Sequence, residues 1–66
     1  MQVTVNGATT DVDPTLTVAA LIAARGEAPR RVAVALNGEV VPRSRWESTG
    51  LTDGDSVEVL APTAGG

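Results

Sequence analysis

The chain begins with an alternation of apolar and polar residues. Apolar residues take every second position from Met1 to Val5, and this period of two is typical of a strand with one buried face. The Asn6-Gly7 pair that follows is favoured in two-residue hairpin turns, because both residues adopt positive φ values readily. A second strand is expected over 8–12, so the sequence opens on a predicted β-hairpin.

The next segment has the spacing of an amphipathic helix. Apolar residues recur three and four positions apart in an alanine-rich stretch, which predicts a helix from Val18 to Arg25. Thr17 is placed to cap its N-terminus with the hydroxyl oxygen, and Leu16 and Leu21 have the spacing of a hydrophobic staple. Gly26 predicts the end of the helix, because glycine readily takes the left-handed conformation of a C-terminal cap.

Three more strands and one helical turn are predicted in the second half of the chain. They are a strand over 32–36, a strand over 39–41 after the Asn37-Gly38 turn, a helical turn over 43–50 that contains Trp46, and a strand over 56–60. The first of these strands is apolar on both faces, which is typical of a central strand or of a strand whose second face another molecule covers.

One helix and four or five strands predict an α+β fold, because the helix can bury its apolar stripe only across one face of a mixed sheet. This is the β-grasp arrangement of ubiquitin. We expect it to occupy residues 1–60, followed by a flexible tail over 61–66 that ends in two glycines. The predicted core comprises Val3, Val5, Leu21, Ile22, Val34, Leu36, Val57 and Val59.

The other face of the predicted sheet has no layer to cover it. Strand alternation places Ala33, Ala35, Glu58 and Leu60 on this face. A large aliphatic side chain beside the tail suits contact with a partner, although single exposed leucines are also common on protein surfaces. These four residues are the candidate partner interface.

The composition removes most groups that catalyse reactions. The chain has no cysteine and no histidine, so it lacks a catalytic thiol, a disulfide, the commonest general base and the commonest metal ligand. We therefore expect a protein that is not an enzyme and that binds no metal or cofactor of its own. The absence of cysteine is also compatible with a reducing compartment.

The charge balance is acidic. A net charge of -3 argues against nucleic acid, whose phosphates require a cationic face. The pairs Arg30 with Arg31 and Arg43 with Arg45 are expected to be solvated or to form salt bridges with a partner, in preference to binding phosphate. The sequence shows neither a membrane-spanning run nor a signal peptide, so a soluble cytoplasmic protein is expected.

The sequence ends at Gly65-Gly66 after a loosely composed segment. Without a Cβ, glycine lets the backbone approach another surface closely, so a terminal pair suits a narrow channel. Fully extended, residues 61–66 would reach about 20 Å from the domain. Ala64 and Gly65 are therefore expected to enter a partner's active site and to present the carboxylate of Gly66 there. Chain ends are also frayed in many proteins, which is the competing interpretation.

Three segments together resemble the ThiS family, the sulfur carriers of thiamine biosynthesis. They are Val34 to Trp46 (VALNGEVVPRSRW), Leu51 to Asp55 (LTDGD) and the final Gly65-Gly66. None of these motifs is specific to the family alone. Their ordered combination in a chain of this length is specific, because it is hard to produce by chance. The small subunit of molybdopterin synthase resembles the chain less, because it is typically longer and does not usually have the Val41 to Trp46 segment.

The resemblance implies a protein co-substrate. A ThiF-type adenylyltransferase would adenylate the Gly66 carboxylate with ATP, a sulfur-donating enzyme would supply sulfur for a thiocarboxylate, and thiazole synthase would accept it. The carrier alone is expected to be a monomer. Alternatives that remain open are the molybdopterin relative, a ubiquitin-like modifier, and a ubiquitin-like binding module whose tail is never activated.

The other conspicuous residues of the pattern are expected to be structural. Trp46 is the only aromatic residue, and its ring is expected to close one end of the sheet, with a hydrogen-bond partner for its indole N–H. Pro42 and Arg43 are expected to shape the helical turn. Asp53 and Asp55 are expected to be turn residues, because two carboxylates with no third ligand make a poor metal site.

Overall fold

The computed structural model describes residues 1–61, so the tail predicted over 61–66 lies outside the described residues except for Ala61. The elements are β1 (Gln2–Val5), β2 (Ala8–Asp11), α1 (Val18–Ala24), a first 3-10 turn (Pro29–Arg31), β3 (Ala33–Leu36), β4 (Glu39–Val41), a second 3-10 turn (Arg43–Ser48) and β5 (Ser56–Leu60). The predicted order of strands and helix is confirmed. The first 3-10 turn has no counterpart among the elements predicted from the sequence.

The five strands form one mixed sheet in the order β2-β1-β5-β3-β4. β1 and β5 are parallel, and the other neighbouring pairs are antiparallel. β3 lies between β5 and β4, as its two apolar faces predicted. With α1 on one face of this sheet, the structure has the predicted β-grasp fold.

Two Asn-Gly turns form the hairpins, as predicted. Asn6 and Asn37 have φ values of 52° and 50°, and the glycines that follow them have φ values of 83° and 86°. Positive φ at both central residues is the geometry of the type I′ turn, whose twist matches that of the flanking strands. Most residues other than asparagine, aspartate and glycine would be strained at these turn positions, because a positive φ is unfavourable for them.

The side chains of both turn asparagines also form hydrogen bonds with the backbone of β5. Asn6 accepts a hydrogen bond from the Val59 backbone N–H at 2.8 Å and donates one to the Val59 carbonyl at 3.2 Å. Asn37 accepts one from the Ser56 backbone N–H at 2.9 Å. The side-chain amide of Asn6 therefore continues the contact between β1 and β5 beyond the end of β1, close to the point where the tail begins.

The helix α1 begins at Val18 as predicted and ends at Ala24, one residue earlier than expected. The hydroxyl of Thr17 accepts a hydrogen bond from the Ala20 backbone N–H at 3.2 Å. At the other end, Gly26 has a φ of 72° and donates to the Ala23 carbonyl, while Glu27 donates to the Ile22 carbonyl. This pair of bonds is the Schellman arrangement, which satisfies carbonyls at the end of the helix.

The core lies between α1, the second 3-10 turn and the inner face of the sheet. It comprises Val3, Val5, Val18, Leu21, Ile22, Val34, Trp46, Leu51, Val57 and Val59. Seven of the eight predicted core residues are confirmed. The prediction for Leu36 was wrong: this residue is half-buried, because it is the last residue of β3 before the Asn37-Gly38 turn, and it packs only against the margin of the core.

Candidate functional site

The strand that precedes the predicted tail in the sequence, β5, lies inside the sheet between β1 and β3. β5 ends at Leu60, which lies opposite Ala33 at the beginning of β3. Ala61 is exposed and is the last residue that the structure describes. Gly66, Gly65 and Ala64, the sites predicted for modification and for entry into partner enzymes, lie outside the described residues.

The four candidate interface residues share the sheet face opposite α1. Leu60 pairs with Ala33 and Glu58 pairs with Ala35, so they form two neighbouring rows of this face. Ala33, Glu58 and Leu60 are exposed, and Ala35 is half-buried. The exposed fraction of Leu60 is 60%, which is high for a large aliphatic side chain.

Val40 belongs to the same face and was missed by the sequence analysis. It pairs with Ala35 from β4, and its exposed fraction is 75%. The pairing of its neighbour Val41 with the core residue Val34 decides its orientation, since successive strand residues point to opposite faces. The Asn37-Gly38 turn sets the register of β3 and β4, so this pairing could have been predicted from the sequence. We name the open face as the exposed surface of Ala33, Ala35, Val40, Glu58 and Leu60.

The carboxylates near the turns are used to hold the backbone, as predicted. Asp53 accepts a hydrogen bond from the Gln2 backbone N–H at 2.8 Å, and Asp55 accepts one from the Thr52 backbone N–H at 2.8 Å. Asp55 also accepts a bond from the Asn37 side chain at 3.0 Å. Within residues 1–61, no group of three or more potential metal-ligating side chains comes together.

The carboxyl group of Asp13, in the loop before α1, has a lowered pKa. The hydroxyl of Thr15 donates to Asp13 at 2.6 Å, and the Thr15 backbone N–H donates to the same oxygen at 2.8 Å. These two bonds favour the ionised form and lower the pKa of Asp13 below its usual value. Asp13 is exposed and precedes the helix, so this arrangement orders the loop and has no contact with the open face.

Trp46 is structural, as expected. Its side chain is buried, and its indole Nε1–H donates to the Val41 carbonyl at 2.9 Å. Beside it lies a groove of about 350 Å³, lined by Ala19, Pro29 and the exposed Arg43 among others. Arg43 donates to the Pro29 carbonyl at 3.5 Å and so joins the two 3-10 turns. Its role in shaping this region agrees with the expectation.

No helix within the described part of the chain is long and apolar enough to cross a membrane.

The fold and the site together define a small ubiquitin-like protein, in which a β-grasp domain has an open face that includes the end of its last strand, β5. A sequence model of the ThiS family matches residues 3–66. The chain belongs to the ThiS family.

Two solved structures of a thiamine biosynthesis protein (ThiS) from Geobacter metallireducens are similar to this chain at 42% identity. The crystal structure has a TM-score of 0.84, and each chain is covered in full. The NMR structure has a TM-score of 0.83, with all of this chain and 88% of the other covered. Both structures therefore share the fold of the described domain.

A curated relative is a thiazole synthase from Paramagnetospirillum magneticum, which is 36% identical over all 66 residues of the chain. The chain spans only 20% of the length of that protein. In that relative a ThiS-like segment and a much longer remainder are therefore parts of one polypeptide.

Proposed function

We propose that this chain is a sulfur carrier of thiamine biosynthesis and that the carboxylate of Gly66 is its reactive group. The observation that supports this most is the match to the ThiS family over residues 3–66, which includes the final Gly65-Gly66. The domain would contribute recognition, since the composition offers neither thiol nor imidazole for catalysis. Residues 61–66 would act as the tail that enters the active sites of partner enzymes.

The chemistry assigned to Gly66 has two steps. A ThiF-type adenylyltransferase joins the carboxylate to the AMP portion of ATP and releases pyrophosphate. A sulfur-donating enzyme then supplies sulfur at the oxidation level of sulfide, so that a C–S bond forms while the C–O bond to AMP breaks. A carboxylate is a poor electrophile until AMP becomes its leaving group, and glycine leaves the reacting carbon open to attack because it has no Cβ.

Thiazole synthase is proposed as the acceptor of the sulfur. The support is the thiazole synthase relative, in which a segment similar to this chain is covalently joined to a longer remainder. Two functions joined in one polypeptide commonly act on the same reaction sequence. A tail of residues 61–66, with a reach of about 20 Å, would allow Gly66 to visit the activating enzyme and the acceptor in turn.

The part of the open face around Leu60 is proposed to dock against the activating enzyme. Leu60 is next to the tail, so a partner that holds Gly66 in its active site would also cover this side chain. Leu60→Ser should therefore raise the KM of the adenylation reaction for this chain by about tenfold, the usual order for losing one buried aliphatic contact. The KM is measured from pyrophosphate release at varied carrier concentration.

Val40→Ser is the matched control for this variant. Val40 lies on the same face but two strands from β5, on the edge strand, so its loss should change the KM less. Both side chains are exposed, so the free energy of unfolding should change by no more than about 0.5 kcal/mol in either variant. An unchanged KM for Leu60→Ser would show that the partner does not contact this position.

Removal of Gly65-Gly66 distinguishes the carrier from a binding module that uses only the open face. For a carrier, the truncated chain should support no ATP-dependent pyrophosphate release, although its open face still binds the activating enzyme. For a binding module, removal would change nothing. If wild-type chain at saturating concentration stimulates no pyrophosphate release by a competent activating enzyme, the proposed function is wrong.

A further inference from the structure

Within the described residues 1–61, no arginine forms an ion pair with a carboxylate. The sequence contains five arginines and eight acidic residues. Among residues 1–61, the one ion pair within 4 Å joins the N-terminal amine of Met1 to Asp11, at 3.3 Å. All five arginine side chains are exposed. The cationic groups of an acidic protein are therefore available to another molecule.

Two of these arginines lie at the end of the sheet from which the tail leaves. Leu60, the last residue of β5, pairs with Ala33, the first residue of β3. Arg30 and Arg31 end the first 3-10 turn, and only Val32 separates them from this pair. The chain therefore reaches β3 from the same end at which β5 continues into the tail.

A third arginine reaches the same end from the other side of β3. β4 ends at Val41, which pairs with Val34 near the start of β3, and Arg43 follows two residues later. The hydrogen bond from Arg43 to the Pro29 carbonyl places it against the first 3-10 turn. We name Arg30, Arg31 and Arg43 the basic rim.

Half of the acidic residues lie at the other end of the sheet. Glu39 begins β4 beside the Asn37-Gly38 turn, and Asp55 binds the side chain of Asn37. Asp53 binds the backbone of Gln2, and Asp11 pairs with the same residue. Four of the eight acidic residues therefore lie at the end of the sheet opposite the end of β5. Within residues 1–61, none of the acidic side chains forms an ion pair with a rim arginine.

We propose that the basic rim binds carboxylates of the activating enzyme around the entrance to the site that receives the tail. This inference rests on the proposed function, because it names the chemistry of the surface that the same tail approaches. The rim lies at the end of the sheet where β5 ends at Leu60, so a partner that contacts Leu60 would also meet the rim. Acidic side chains of the partner would form ion pairs with the rim arginines, which form none within residues 1–61.

Carboxylates suit the rim better than the phosphates of ATP do. Arginine forms paired, parallel hydrogen bonds with a carboxylate, and exposed pairs of this kind act mainly by steering and orienting two proteins as they meet. The rim arginines extend from two separate 3-10 turns, whereas the nucleotide must lie at the far end of the tail, next to Gly66. The rim therefore acts on the encounter between the proteins and leaves the chemical step unchanged.

The test compares two double variants with the same change in net charge. Arg30→Glu with Arg31→Glu reverses two rim charges, and Arg25→Glu with Arg45→Glu reverses two exposed arginines outside the rim. With the full chain, the activating enzyme and ATP, the rim variant should raise the KM for the carrier by about tenfold or more at low salt, with kcat unchanged. The control should raise it by much less.

Salt provides a second readout. Between ionic strengths of about 0.01 and 0.15 M the screening length falls from about 30 to about 8 Å, so the difference between the two variants should shrink. An equal KM change in both variants would overturn the inference, since net charge alone would then explain it. A raised KM for ATP would also overturn it by assigning the rim to the nucleotide. Absence of any turnover with the wild type would instead contradict the proposed function.

Discussion

Replacing Trp46 with alanine is expected to leave the domain largely unfolded at physiological temperature. The indole is buried between α1, the second 3-10 turn and the sheet, and removing such a ring typically costs about 3 to 5 kcal/mol. A domain of this length has a free energy of unfolding of only about 3 to 10 kcal/mol. Chemical denaturation followed by circular dichroism measures the loss.

Trp46→Phe is the matched control, because it retains an aromatic ring and removes the indole N–H. The Val41 carbonyl would then lose its hydrogen bond at 2.9 Å, and the smaller ring would fill the site incompletely. We expect a loss intermediate between wild type and alanine, of about 1 to 3 kcal/mol. If alanine cost less than about 1 kcal/mol, the core would not depend on this residue in the way its burial indicates.

Adding a single alanine after Gly66 is expected to abolish thiocarboxylate formation while the domain remains folded. The added residue moves the terminal carboxylate and places a Cβ next to the reacting carbon, where the active site is expected to accept only glycine. Intact-mass measurement after incubation with the activating enzyme, ATP and a sulfur donor detects the product.

An alanine added at the opposite end, before Met1, is the control for the extended chain. It increases the mass equally and leaves Gly66 unchanged, so this variant should still acquire sulfur. Circular dichroism should show the same fold for both. If the chain extended after Gly66 acquired sulfur as fast as wild type, the reactive group would have to lie elsewhere in the protein.

The local elements of the fold were predictable because short sequence signals determine them. The Asn-Gly turns, the Thr17 cap and the left-handed Gly26 each follow from the conformational preference of one or two residues. The attachment of Asn6 to Val59 was not predictable in the same way. It depends on the parallel pairing of β1 with β5, which joins residues 53 positions apart and is decided by packing of the whole sheet.

The open face was predictable only in part. Strand alternation identified Ala33, Ala35, Glu58 and Leu60, whose pairing then followed from the register of β3 and β5. Val40 was missed because a three-residue strand shows little alternation. The position of Arg30 near the end of β5 could not be foreseen either, because the first 3-10 turn that contains it lacks an apolar repeat.

The central claim is that Gly66 exchanges a carboxylate oxygen for sulfur. Its most direct measurement is the intact mass of the wild-type chain after incubation with a ThiF-type enzyme, ATP and a sulfur donor. The account predicts that the mass rises by the difference between one sulfur atom and one oxygen atom, with the change located in the C-terminal peptide. An unchanged mass with an enzyme that is active on its own carrier would contradict it.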